Sequence, residues 1–193
     1  MDISEALEFI KSLTKEEFEE KIEPQRLPEH RKELLFKFIQ GEIHVSYSCR
    51  PDLEAYALKH LMPDFYDSIP HEGHPYSSGE LYEYDPPKNG QNIIKHGLDF
   101  GEVVSYSRKF GTLLVPISNE ADERRVVILS DLDLKCERDK LELPPPGIRE
   151  MNCTISIAHQ REGKFRFISA RLLSSKKEKV RRNHSANSRR NYA

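Results

Sequence analysis

Apolar residues are in short supply in this chain. Hydrophobic types make up 37% of the 193 residues and charged types 32%, against roughly 45–50% apolar usage in an ordinary globular domain. Mean hydropathy is −0.69, so part of the chain is expected to stay outside any core, although nine Phe and eight Tyr supply large apolar area. No window approaches ~18 consecutive apolar residues, which excludes a membrane span. The start, Met1-Asp2-Ile3-Ser4-Glu5, is acidic and lacks an apolar run, so it does not read as a signal peptide. Only three cysteines occur, Cys49, Cys136 and Cys153. Odd in number and far apart, they make no disulfide framework and point to a reducing cytoplasmic location. Internal repeats are also absent.

Charge is present in quantity and unevenly placed. The net charge of −2 hides 9 basic against 17 acidic residues in 1–80 and 21 against 15 in 81–193. The final 33 residues carry 11 basic and 2 acidic groups. Such a stretch suits phosphate, acidic protein or anionic lipid, or is simply a solvated tail.

The first eighty residues read as short helices. Ser4 is placed to cap the first, and Thr14 with Glu17 forms a capping-box pattern ahead of Phe18 and Ile22. Pro28 opens a third helix with an apolar stripe of Leu34, Leu35, Phe38 and Ile39, stopped by Gly41. A fourth covers 52–62 and ends at Pro63. Segment 64–80, with its prolines, glycines and serines, reads as a linker. His71 and His74 lie in it and could share a metal only on a helix, which Gly73 and Pro75 oppose, so no metal site is assigned.

The second half changes character. Residues 89–96 have a helical pattern closed by Gly97, and β-type runs follow at 112–115, 125–129, 153–158 and 165–169. The alternation of Ile155 and Ile157, and of Phe165 and Phe167, suits an antiparallel sheet with one wet face. Residues 161–164 make a hairpin turn. Segment 131–151, with Pro144-Pro145-Pro146-Gly147, reads as an inserted loop, 175–182 as a last helix capped by Ser174, and 183–193 as a basic disordered tail.

Several pieces of this half occur together in one order: Tyr84-Asp85-Pro86-Pro87-Lys88-Asn89 with Asn92; Lys95-His96-Gly97-Leu98-Asp99-Phe100; Asp122-Glu123-Arg124-Arg125; Ile157-Ala158-His159-Gln160-Arg161; and Arg166-Phe167-Ile168-Ser169-Ala170-Arg171. With them, residues 81–182 resemble the BrnT family, the ribonuclease toxins of a type II toxin–antitoxin system. The resemblance implies an α+β, RelE-like fold with an antiparallel β-sheet flanked by an N-terminal and a C-terminal helix; the acidic helical module read at 1–63 precedes it and has no counterpart in that family. It also implies RNA as substrate, a ribbon–helix–helix antitoxin as partner, and no cofactor.

Metal-free RNA cleavage needs a base for the 2′-hydroxyl, an acid for the leaving oxygen and cations for the phosphoryl oxygens. Within the resemblance, His159, Glu123, Arg124 and Arg171 are the candidate catalytic residues. His159 ends a strand beside the turn and is either a general acid–base or an ordinary hairpin-end histidine. Glu123 and Arg124 form either a base–phosphate pair or a solvated strand entry. Lys88, Lys95, His96, Arg161, Lys164, Arg166, Lys176 and Lys177 are candidate RNA-binding residues, Lys95 and His96 having a helix-capping role open to them as well. Arg166 and Arg171, five apart, fall on opposite faces of a regular strand, so a phosphate cradle using both requires a bend. Phe100, Tyr106 and Phe110 either stack on bases or fill the core. The charge split raises a further expectation, that the acidic module masks the basic surface in cis. Two alternatives stand beside cleavage: a catalytically inactive regulator that binds nucleic acid or an antitoxin through the same fold, and a purely structural interaction domain.

Overall fold

A computed structural model describes residues 1–70, 81–110, 112–117, 124–131, 151–161 and 163–174. The expected linker histidines, residues 132–150 of the expected 131–151 insert, the last helix and the basic tail lie outside these residues, as do Glu123, Lys176 and Lys177; the two ends of that insert, Asp131 and Met151, belong to strands instead.

The protein is α+β. Five α-helices come first: α1 (Ile3–Lys11), α2 (Lys15–Ile22), α3 (Glu29–Ile39), α4 (Arg50–Leu61) and α5 (Pro63–Ser68). The cap of α1 is Asp2, two residues ahead of the expected Ser4. Asp2 accepts from the Glu5 amide and Glu5 accepts from the Asp2 amide, both at 2.8 Å, a reciprocal pair that Ser4 cannot make. Thr14 and Glu17 form the expected capping box. α5 occupies part of the expected linker, because Pro63 stands at a first-turn position where its missing N–H costs nothing and Tyr66 anchors it in the core.

A short strand β1 (Tyr82–Glu83) leads into α6 (Pro86–His96), which ends at Gly97 with φ 68°, as its C-cap position favours. Next comes α7 (Phe100–Phe110), a helix beyond the expected elements. Its signal was present: Asp99 accepts from the Glu102 amide at 3.2 Å, a helix start, and Phe100, Val103 and Tyr106 recur at helical spacing on a buried face.

Four further strands follow among the described residues: β2 (Thr112–Ile117), β3 (Arg124–Asp131), β4 (Met151–Arg161) and β5 (Lys164–Ser174). The sheet order is β1-β5-β4-β3-β2. β2 to β5 are antiparallel, but β1 lies parallel to β5, so the sheet is mixed rather than purely antiparallel. β1 follows a connection from the N-terminal helices rather than a hairpin, so nothing forces it to run antiparallel to its neighbour.

Beyond its pairing with β1, the outer edge of β5 meets α6. The Ala170 amide donates to Asn92 Oδ1 at 2.8 Å, while Asn92 Nδ2 donates to the Leu98 carbonyl at 2.7 Å. A side-chain amide thus takes up an edge N–H that a neighbouring strand would otherwise satisfy.

Beside a small apolar cluster of Cys153, Ile155 and Leu173 on the sheet face away from α7, two large ones share this frame. One joins the N-terminal helices through Ile10, Phe18, Leu35, Leu53, Tyr56 and Leu61, and extends to Ile93 and Ile94 of α6. The other lies between α7 and one face of the sheet, with Phe100 at ring-centroid distances of 5.4 Å from Phe167 and 5.6 Å from Tyr84. Phe100 and Tyr106 are therefore core residues. α6 is the common wall: it packs on α4 with its apolar face and on β5 with Asn92.

The α4–α6 crossing is close enough to require glycine. A Cβ on Gly90 would stand 2.1 Å from the Asp52 carbonyl oxygen and 2.7 Å from Tyr56 Cβ. Backbone cannot retreat as a flexible side chain can. Replacing Gly90 by Ala is expected to cost about 3 kcal/mol or more of unfolding free energy, at the upper end of overpacking effects, read as a fall in urea midpoint; an unchanged midpoint would refute the close crossing.

Candidate functional site

Register across the sheet assigns each basic residue to a face. On β4, Cys153, Ile155, Ile157 and His159 alternate with Thr154, Ser156 and Ala158, and Ala158 belongs to the cluster beneath α7. His159 therefore looks out from the opposite, outer face. Directly across from it are Arg125 on β3 and Arg166 on β5, and Arg166 is in turn level with Glu83 on β1. The Arg125 Nε donates to His159 Nε2 at 2.9 Å. The ring nitrogen is thus engaged as an acceptor by the neighbouring guanidinium.

The expected obstacle to using Arg166 and Arg171 together is removed by a bulge. Ile157 pairs with Ser169 but Ala158 pairs with Phe167, which leaves Ile168 as an extra residue on β5. Phe167 and Ala170, three apart, consequently face the same core cluster. Arg171, paired with Ile155, then shares the outer face with Arg166, paired with His159. The two paired positions on β4 are four residues apart, about 13 Å along the strand. Ile155, Leu173 and Cys153 are buried between or beside them with Val127 and Leu129 packed on.

The sequence-derived candidates thus fall into two groups. His159 and Arg166 come together, joined by Arg125, which was not among the candidates, while Lys164 follows the alternation onto the same face. Arg161 pairs with Lys164 at the hairpin end. Arg124 does not join them: it is exposed at the start of β3, opposite Gln160 and hence toward the other face. A single alternation step separates Arg124 from Arg125, and only the strand pairing decides which of two adjacent arginines meets the imidazole.

The second group lies where α3, α4 and α6 meet β5. His96 is half-buried in the last turn of α6, and its pKa is held down to about 4, mainly by burial and then by the positive charges of Arg171, Lys95 and Arg31. His60 on α4, with its ring 4.6 Å from that of Tyr56, is held down to about 4 by burial and by Lys59 and Lys95. Arg31 is 2% exposed, and burial lowers its pKa. Burial and Lys88 lower that of Lys95; Lys88 itself donates to Gln91 Oε1 at 2.9 Å.

A third polar cluster is fully internal. Asn89 Nδ2 donates to Asp52 Oδ2 at 2.7 Å and to Asp99 Oδ1 at 2.6 Å, while its Oδ1 accepts from the Phe100 amide at 2.9 Å. Burial raises the Asp52 pKa to about 6, with the nearby Asp99 and Asp85 charges adding to the rise and the hydrogen bonds from Asn89 and Tyr84 opposing it. Every group here is engaged in holding α4, α6 and α7 together, so this cluster is structural. Among the described residues no group of three or more His, Cys, Asp and Glu is arranged to hold a metal, and no helix is long and apolar enough to cross a membrane.

No family model, curated protein or solved structure matches this chain.

Three of the shifted groups, His60, His96 and Asp52, set an acid response whose sign can be worked out. On unfolding, His60 and His96 return from about 4 to 6.5, and Asp52 from about 6 to 3.8. The histidines contribute stability that is complete above about pH 6.5 and is lost as pH falls toward 4. Asp52 acts in reverse, since its raised pKa withholds stability at neutral pH and returns it as pH falls through 6. Two histidines outweigh one carboxyl, leaving a loss on the order of 1 kcal/mol per pH unit between pH 6 and 4.5. Urea midpoints across this range should fall for the native chain, less steeply for His60→Gln or His96→Gln, and more steeply for Asp52→Asn. Midpoints independent of pH would contradict the assignment.

Proposed function

We propose that the protein is a BrnT-like endoribonuclease, the toxin component of a type II toxin–antitoxin system, with the outer face of the sheet as its RNA surface. The observation that carries this reading is the bulge at Ile168, which puts Arg166 and Arg171 on the face that also holds the Arg125–His159 pair. The antiparallel run of β2 to β5 with a basic last hairpin is compatible with the resemblance of 81–182.

In this reading the backbone phosphate sits against Arg125 and Arg166, whose forks match two phosphoryl oxygens. As phosphate takes over the Arg125 donor, His159 Nε2 is released to accept the proton of the adjacent 2′-hydroxyl. The 2′-oxygen bonds to phosphorus, the bond to the 5′-oxygen breaks, and that oxygen takes a proton from water, giving a 2′,3′-cyclic phosphate and a free 5′-hydroxyl. The arginines neutralise the charge that builds on the phosphoryl oxygens. Arg171 and Lys164 extend the positive path along the strand.

A second reading keeps the surface and omits the chemistry: a regulator that binds nucleic acid or an antitoxin-like protein. It is favoured by the Arg125 bond itself, which occupies the His159 lone pair at rest.

Cleavage of a labelled single-stranded RNA in the presence of chelator separates the two. His159→Ala should lower the cleavage rate by about 10²–10⁴-fold while RNA affinity holds. Arg166→Ala should weaken binding and reduce its salt slope by about one unit. Binding without products in the native chain would leave the second reading; no salt-dependent RNA binding would end both.

A further inference from the structure

A cleft of about 390 Å³ lies between α7 and the edge strand β1, lined by Tyr82, Gly101, Val104, Ser105, Arg108 and Lys109. Its size falls in the lower part of the range of small-ligand sites, about 300–1,000 Å³. Gly101, Val104, Ser105 and Arg108 recur at helical spacing and form one stripe over two turns of α7, while another face of the helix buries Phe100, Val103 and Tyr106. Across the cleft stands Tyr82, half-buried, with its ring held by two neighbours: Tyr84 at 6.3 Å between centroids and nearly parallel, and Phe167 at 6.2 Å and edge-on. Both of those rings also meet Phe100, which places Tyr82 toward the start of α7, next to Gly101 and Val104. One end of the cleft is thus aromatic and apolar. The other carries Arg108 and Lys109, with the Ser105 hydroxyl between the two ends. Helical side chains lean toward the helix start, so Ser105 and Arg108, both exposed, reach back along the stripe toward the ring.

We propose that this cleft takes one nucleotide unit, its base stacked on Tyr82 against Val104 and its phosphate at Arg108. A ring fixed by its neighbours is a ready stacking platform, and every base has a face that fits one. The guanidinium fork matches two phosphoryl oxygens, and the Ser105 hydroxyl can donate to or accept from the sugar between them. The inference deepens the RNA reading and rests on it in one respect. Tyr82 is level with Phe165 on the face toward α7, and the next residue, Glu83, is level with Arg166 on the outer face. The cleft and the Arg125–His159–Arg166 row therefore lie on the two sides of one sheet edge. A strand with a phosphate at Arg166 reaches the cleft by turning around β1, and the cleft then seats a base near the scissile phosphate. The cleft itself needs only a nucleotide.

The test uses the full chain and the NMR signals of the Tyr82 ring, assigned with Tyr82→Phe. Adenosine 5′-monophosphate should shift these signals saturably through the ring current of the stacked base, whereas inorganic phosphate at equal ionic strength should not. Adenosine, which lacks the phosphate, should give the same shift at about tenfold higher concentration, and Arg108→Ala should bring the nucleotide to the level of the nucleoside. Tyr82→Phe keeps a flat ring and should bind the nucleotide as the native chain does, while Tyr82→Leu should weaken nucleotide and nucleoside alike by about tenfold. Ser105→Trp, at an exposed helix position, fills the cleft and should abolish the response; it decides the matter where Tyr82→Leu fails to fold. A non-cleavable 2′-O-methyl oligonucleotide distinguishes the source: a Tyr82 response at equal or lower concentration than the mononucleotide marks a base of an RNA strand, and a response to the mononucleotide alone marks a free nucleotide. Tyr82 signals that mononucleotide and oligonucleotide move no more than inorganic phosphate does, or a Ser105→Trp chain that binds the nucleotide as the native chain does, would overturn the proposal. No arm depends on cleavage, so absence of ribonuclease activity leaves the cleft standing as a nucleotide site, and cleavage with a silent Tyr82 removes the cleft alone.

Discussion

Asn89 and Gly90 are adjacent on α6 and meet the same residue, Asp52 of α4, in different ways. Gly90 lets the Asp52 backbone approach to a distance that any side chain would forbid. Asn89 then spends its amide on two carboxylates and its oxygen on the first amide of α7. One turn along, Asn92 repeats the device toward the sheet, satisfying the Ala170 amide and the Leu98 carbonyl. α6 is thus locked on three sides by two asparagines and a glycine, and its apolar Ile93 and Ile94 fill what remains. Each of these polar groups is buried, and a buried amide without its partner costs about 1–3 kcal/mol. The positions of α4, α7 and the β5 edge are therefore coupled through one helix.

At the α4–α6 contact that coupling runs through packing and buried hydrogen bonds rather than opposite charge. The surface between α4 and α6 is apolar, with one carboxyl–amide hydrogen bond at its centre. Residue counts over long segments register the sign of each half but carry no information about which face is turned inward. The same limit applies to the basic groups. Their number is evident from composition, whereas which of them come near α6 depends on helices tens of residues apart in sequence being packed side by side.

Local chemistry was legible where the deciding partners are close in sequence. The Thr14–Glu17 box, the Gly97 cap and the 161–164 turn involve residues three or four apart, and each forms as its spacing dictates. The Asp99–Glu102 start of α7 is of the same kind and was masked by the apolar, β-type residues around it. The mixed sheet, the choice of Arg125 over Arg124 and the Ile168 bulge are of another kind. Each is settled by pairing between strands, and a strand read singly has a period of two with no marker for the place where that period slips.

The bulge also shows why a regular strand would serve this protein poorly. β5 has to satisfy two sets of demands over eleven residues. At its start Phe165 and Phe167 face the aromatic cluster around Phe100, and farther on Ala170 and Leu172 face the same cluster. With strict alternation, seating Phe167 inward would put Ala170 and Leu172 outward and send Arg171 into the core, where an unpaired charge costs several kcal/mol. One inserted residue resolves the conflict: the apolar positions on both sides of Ile168 stay inward and both arginines stay outward. Packing of the core and display of the basic surface are in this strand consequences of a single irregularity, and removing it would damage both together.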